Sequence, residues 1–254
     1  MDFSDITAIG VIPARFSSTR FPGKPLTKIN GVSMVERVYR QASLTTKLKS
    51  VIVATDDQRI FDHVKSFGGR VMLTSSDHPS GTDRIAEVIE RLKNNNEAFD
   101  VAINIQGDEP FIQPTQIERV ISIFENPTAE IGTLIKRLEN AEDLFNPNVV
   151  KVVVDGRGKA LYFSRSPIPF VRNTISDNWL DDHVFYKHIG IYGYKTDTLK
   201  EITSLQLSPV EKAESLEQLR WLYNGYTIHT MVTDIETIGI DTPDDLSKLI
   251  NITC

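Results

Sequence analysis

Residues 9–25 read Ile9-Gly10-Val11-Ile12-Pro13-Ala14-Arg15-Phe16-Ser17-Ser18-Thr19-Arg20-Phe21-Pro22-Gly23-Lys24-Pro25. Ile9 to Ile12 is a short apolar run of strand type. A loop follows, and then Met34, Val35, Val38 and Tyr39 recur at helical spacing. Strand, loop and helix in this order open a parallel βαβ unit, and open α/β sheets bind ligands beyond the carboxyl ends of their strands. The loop carries three cations, Arg15, Arg20 and Lys24, with three hydroxyl side chains and Gly23. Arg offers forked donors to phosphate oxygens and Lys a mobile point charge. A solvated basic loop is the plain alternative, and the position after a first strand favours a phosphate site. It is neither a Walker A loop, because Pro25 follows Gly23-Lys24, nor a G-x-G-x-x-G turn.

The alternation continues outward from this unit. Val51 to Ala54 reads as a second strand, with Asp56 set to cap a helix that ends before Gly68-Gly69. Val71 to Leu73 is a third strand. Ile85, Val88, Ile89 and Leu92 form a helical stripe behind a Thr82 cap, and Val101, Ile103 and Ile105 a fourth strand. After residue 125 the pattern changes. Val149 to Val154 and Ala160 to Phe163 flank Asp155-Gly156 as a hairpin, and a strand follows at Ile189 to Tyr194. Ser208, Pro209 and Glu211 give a cap, an N1 proline and a capping-box acid for one helix running to Asn224-Gly225. A strand at Thr227 to Val232 leads through Ile238 to Asp241 into a helix opened by Thr242-Pro243. These readings predict an α/β fold: a three-layer, mostly parallel mixed sheet with helices on both faces and a hairpin-bearing extension.

Composition narrows the classes of function. The 254 residues are 40% hydrophobic, enough for a substantial core without cross-links. The one cysteine is Cys254, which excludes an internal disulfide. The absence of a signal-like start and of apolar stretches near the ~20 residues of a membrane helix predicts a cytoplasmic protein with no membrane partner. A net charge of −6 argues against nucleic acid as a partner. It leaves room for small anions, since exposed charges are screened beyond about 8 Å and a local basic cluster can dominate.

Four further positions carry possible chemistry. Asp108, in Gln106-Gly107-Asp108-Glu109-Pro110, ends the fourth strand, where it suits either a magnesium site or a turn. Asp241, in Gly239-Ile240-Asp241-Thr242-Pro243, is a helix cap or, if Thr242 takes the cap, a partner carboxylate. Glu217 falls between Ala213 and Trp221 on the apolar arc of its helix. A core-side acid needs a partner, which is either Arg220 at i+3 or, with Gln218, the hydroxyls of a sugar. His188 stands at the start of a strand, where a lone histidine is more often structural, and no H-x-x-x-H spacing indicates zinc.

Taken together, these segments resemble the 3-deoxy-manno-octulosonate (Kdo) cytidylyltransferases, or CMP-Kdo synthetases. The likeness rests on Ile12-Pro13-Ala14-Arg15, Ser18-Thr19-Arg20, Pro22-Gly23-Lys24-Pro25, Val53-Ala54-Thr55-Asp56, Ser80-Gly81-Thr82 with Arg84, Gln106 to Pro110, Phe145 to Asn148, Leu161 to Arg165, His188 to Tyr194, Leu216 to Arg220 and Gly239 to Pro243. The first piece is shared with other sugar nucleotidyltransferases, and the ordered set is specific.

The resemblance implies the Rossmann-like fold of the nucleotide-diphospho-sugar transferases. It implies transfer of CMP from CTP to Kdo, with Mg2+ as cofactor, activating Kdo for lipopolysaccharide synthesis. Arg15, Arg20 and Lys24 would hold the CTP phosphates, with Ser80 and Arg84 on the nucleotide side. Asp108 and Asp241 would be the metal carboxylates. Gln106, His188, Glu217 and Gln218, together with Arg165 and Tyr192, would face the sugar. A single domain is implied, with a nucleotide-binding part over about 1–125, a sugar-binding and dimerisation part over about 126–235 and a metal-binding return segment, 236–254. A homodimer is the expected assembly. The same chemistry on sialic acid or 8-amino-Kdo, a CTP sensor without turnover, and a glycosyltransferase remain as alternatives.

Overall fold

A computed structural model describes residues 6–17, 21–236, 239–240 and 242–246. The first half runs β1 (Ala8–Ala14), the short pair β2 (Lys28–Ile29) and β3 (Val32–Ser33), α1 (Met34–Ser43), β4 (Leu48–Thr55), α2 (Gln58–Ser66), β5 (Val71–Leu73), α3 (Gly81–Asn94), β6 (Val101–Asn104) and α4 (Pro114–Ile123). The second half runs β7 (Ile131–Arg137), α5 (Ala141–Phe145), β8 (Lys151–Val154), β9 (Ala160–Ser164), α6 (Trp179–Asp182), β10 (Tyr186–Lys195), α7 (Thr196–Thr203), α8 (Pro209–Glu214), α9 (Gln218–Tyr223) and β11 (Ile228–Val232).

The main sheet has the order β11-β7-β10-β6-β1-β4-β5, and β8 pairs with β10 and carries β9. β1 is parallel to β4 and β6, whereas β10 is antiparallel to both β6 and β7. The sheet is therefore mixed and mostly parallel along its spine, as the sequence predicts, with β8 and β9 as the hairpin of the extension. Strand periodicity builds two cores. Ala8, Ile12 and Ala14 of β1 face α1, α2 and α4, while Ile9 and Val11 face α3, α7 and α9.

Three local expectations are corrected. Asp57, not Asp56, caps α2 by accepting from the Arg59 amide at 2.9 Å, because Asp56 turns to Arg84 instead. Ser80, not Thr82, caps α3, and Thr82 is buried inside the first turn. The long helix expected from Pro209 is broken into α8 and α9 by Ser215, whose φ is +53°. In an unbroken helix the Glu214 carbonyl would accept from residue 218; here it accepts from Arg165 Nε at 2.7 Å. The Ser208–Glu211 capping box forms as expected.

Candidate active site

Three chain segments meet at the carboxyl edge of β1 and β6, and Pro13 lies at their junction. A Cβ on Gly107 would lie 2.7 Å from the Pro13 carbonyl oxygen, so only glycine lets the turn after β6 approach β1 this closely. A Cβ on Gly81, at the start of α3, would meet Pro13 Cγ at 3.4 Å. The basic loop closes on itself where the Gly23 amide donates to the Phe16 carbonyl at 3.0 Å, and Gly23 has the left-handed φ of +73°. Arg59 stacks on the outer face of Phe16, 3.3 Å from the ring centre.

This closure brings Lys24 to Asp108, with Nζ 2.8 Å from Oδ2. Arg15 is exposed on the same loop. The Asp108 carbonyl accepts from the Ile240 amide at 2.9 Å, so the return segment docks on the turn that bears Asp108. Thr242 caps the helical turn at 243–246, accepting from the Asp245 amide at 3.3 Å. Arg20 and Asp241 lie outside the described residues.

Arg84 takes an unexpected place. It is fully buried, and its guanidinium donates to Asp56 Oδ2 at 3.1 Å and to the Thr74 hydroxyl. In this structure it braces the end of β4 against α3 from beneath the site. Ser80 is likewise occupied in capping, and its hydroxyl also donates to Asp83 Oδ2 at 2.6 Å.

Beyond β6 the sheet carries a second group of polar side chains. Gln106 Nε2 donates to the Gly190 carbonyl at 3.0 Å. His188 Nε2 lies 3.0 Å from the Thr133 hydroxyl, and its ring packs between Phe163 and Tyr192. Burial pushes the imidazole down to about 3, so it is neutral at physiological pH. The Tyr192 hydroxyl is buried without a hydrogen-bond partner among the described residues, and burial raises its pKa. His188 also lines a pocket of about 230 Å³ with Asn148, Lys187, Gly190, Glu109 and Glu236.

Glu217 does not pair with Arg220. Arg220 forks onto Glu211 at 2.6 and 2.8 Å, and Glu217 Oε2 accepts from the Thr82 hydroxyl at 2.8 Å. Burial pushes the Glu217 carboxyl up, and the Thr82 hydrogen bond opposes that rise. Gln218 is buried beside it at the start of α9. Arg165 is tied up elsewhere: Nε reaches the Glu214 carbonyl, and Nη1 the Pro147 carbonyl at 3.0 Å. It locks the hairpin to α8. Sequence reasoning missed Thr82 as the partner of Glu217 and Thr133 as the partner of His188. A signal for Thr133 was present, since a threonine interrupts the apolar run of β7.

An α/β sheet with a basic loop after its first strand and a carboxylate at the next strand end defines a nucleotidyltransferase-type protein. A sequence profile of the cytidylyltransferase family matches residues 9–235. The chain is 53% identical over 247 residues to a 3-deoxy-manno-octulosonate cytidylyltransferase of Cytophaga hutchinsonii, covering 97% of each chain. It is 54% identical over 241 residues to that of Bacteroides thetaiotaomicron, covering 94% of each. A solved structure of CMP:2-keto-3-deoxy-manno-octonic acid synthetase complexed with CTP superposes with a TM-score of 0.89 at 41% identity, over 97% of this chain and 98% of that one. The fold alone is shared with a 4-diphosphocytidyl-2C-methyl-D-erythritol synthase from Anaerococcus prevotii, at 12% identity and a TM-score of 0.64. This chain belongs to the cytidylyltransferases and, within them, to the 3-deoxy-manno-octulosonate cytidylyltransferase family.

Proposed function

We propose that the chain transfers CMP from CTP to Kdo, giving CMP-Kdo and pyrophosphate. The observation that carries this reading is the meeting of Lys24 and Asp108 at the carboxyl edge of the sheet, in a chain whose relatives bear that activity in their names. In the reaction the anomeric hydroxyl oxygen of the sugar forms a bond to the α-phosphorus and its proton passes to water. The bond from that phosphorus to the bridging oxygen breaks, and the electron pair leaves with pyrophosphate. Negative charge builds on the leaving oxygens, so donors fixed beforehand accelerate the step. Arg15, Lys24 and Arg20 supply them from the loop. Gln106, His188, Tyr192, Glu217 and Gln218 orient the sugar, and Arg165 holds the hairpin wall behind them. Arg84 and Ser80 support the nucleotide side by fixing the end of β4 and the start of α3.

The donor chemistry fits Mg2+. Asp108 is 33% exposed, and one carboxylate oxygen meets Lys24 while the other has no hydrogen bond among the described residues. Magnesium takes one or two carboxylates and fills its shell with water and substrate phosphates. Asp108 would hold it with Asp241, the residue after Ile240, and the ion would supply charge neutralisation on the phosphates.

Release of pyrophosphate with each of the four nucleoside triphosphates, with and without Kdo, tests this reading. Release only with CTP and Kdo together is the expected result; release without sugar, or with sialic acid or 8-amino-Kdo in preference to Kdo, overturns it. We also propose a homodimer, working in the cytoplasm. Its support is an exposed aromatic surface on the extension, where Phe170 and Phe145 pack against Trp179 beside Ile175 and Val184. Light scattering of the purified chain tests the assembly, and a monomer at micromolar concentration contradicts it.

A further inference from the structure

Thr133 is fully buried in the middle of β7. Its hydroxyl lies 2.8 Å from the Ile191 carbonyl oxygen, 3.2 Å from that of Ile189 and 3.0 Å from His188 Nε2. Carbonyl oxygens can only accept, and a hydroxyl has one proton to give. That proton goes to the backbone, where Ile191 is nearest. His188 Nε2 must then carry the hydrogen and donate to Thr133, which leaves the lone pair on Nδ1.

The backbone explains why those carbonyls turn to a side chain. The pairing of β10 with β7 shifts register between Ile189 and Tyr192, so the ladder is interrupted there. Thr133 gives its one proton to the Ile191 carbonyl and lies 3.2 Å from that of Ile189, and the carbonyl of Gly190 between them accepts from Gln106 Nε2. One hydroxyl therefore stands behind two residues of the sugar side.

We infer that Thr133 is a positioning residue of the sugar pocket, holding the β10 bulge and fixing His188 as the Nε2–H tautomer so that Nδ1 accepts a hydroxyl of the bound sugar. This rests on the reading that His188 and Gln106 face the sugar. The imidazole is neutral, so the acceptor is present throughout the physiological range.

The test uses the full chain and its Thr133→Val, Thr133→Ser and His188→Ala variants. Imidazole 15N spectra of the wild type and of Thr133→Ser are expected to show the Nε2–H form, and Thr133→Val to lose that preference. Loss of one net hydrogen bond predicts a KM for Kdo raised about three- to tenfold in Thr133→Val, with the KM for CTP unchanged and Thr133→Ser near normal. A raised KM in His188→Ala beside a silent Thr133→Val overturns the inference alone. A wild-type KM in His188→Ala overturns the pocket reading and the inference with it. If Thr133→Val does not fold, the wild-type spectrum still decides, because a dominant Nδ1–H form contradicts the assignment.

Discussion

Lys24 Nζ and Asp108 Oδ2, 84 residues apart in sequence, lie 2.8 Å from each other at the carboxyl edge of the sheet. The two charges neutralise one another in a shared, partly exposed site. In the proposed reaction a triphosphate would compete for the lysine and a divalent cation for the aspartate, so the ligands together would exchange one ion pair for two. Asp108→Asn is therefore expected to abolish magnesium-supported pyrophosphate release while leaving the circular dichroism spectrum unchanged. A near-normal rate, with an ordinary magnesium requirement, would contradict the metal assignment.

Lys24→Ala removes a charge-assisted contact worth about 1.5 to 3 kcal/mol, which corresponds to a fall of roughly ten- to a hundredfold in kcat/KM for CTP. Little stability is at stake, because Asp108 left alone is one-third exposed and can be hydrated. Steady-state kinetics and a thermal melt on the same preparation separate the two effects. A lower Tm without a kinetic change would assign the lysine to structure.

The meeting of these two residues was only partly legible in the sequence. The strand, the loop and the glycine before Asp108 can all be read locally, because turn chemistry and periodicity are local. Their convergence depends on Gly107 packing against the Pro13 carbonyl, a contact between segments more than 90 residues apart. The same limit explains the misread caps. Asp56 and Asp57 are both competent caps, and a buried guanidinium from α3 selects which one is left for α2. Ser80 and Thr82 both have hydroxyls, but Glu217 draws Thr82 away from the helix start. The break at Ser215 is invisible without Arg165, whose guanidinium takes the carbonyl that would continue the helix.

Glu217 gives a pH-dependent prediction. Burial raises its pKa in the folded chain above the ordinary 4.5, so the native state binds this proton more tightly than the unfolded state. The stability this contributes is fully present below about pH 4.5 and is lost as pH rises through the native value. Glu217→Gln is therefore expected to gain stability relative to wild type between pH 4 and pH 8, while its affinity for Kdo falls. Thermal melts across that range check the sign, and a difference that does not vary with pH would refute it.

Arg84 should matter first for folding. Arg84→Ala strips Asp56 and Thr74 of a fully buried partner, at a cost of about 3 kcal/mol and a Tm lower by roughly 6 to 12 °C. Differential scanning calorimetry measures this directly. A shift below about 2 °C would mean that the guanidinium is not a structural brace.

In the proposed sugar pocket Arg165 would act through α8, to which it is bonded at the Glu214 carbonyl. Arg165→Lys keeps the charge but loses the rigid planar fork whose Nε and Nη1 reach the Glu214 and Pro147 carbonyls from two separate atoms. It is expected to raise the KM for Kdo about three- to tenfold, with the KM for CTP unchanged. Equal effects on both substrates would move Arg165 out of the sugar wall.

The most direct measurement is 31P NMR of the purified chain incubated with CTP, Kdo and Mg2+. Two products should grow together in equal amounts as CTP disappears: a phosphodiester resonance from CMP joined to the sugar, and free pyrophosphate. Intact CTP, or CMP and pyrophosphate without the phosphodiester, would contradict transfer to the sugar.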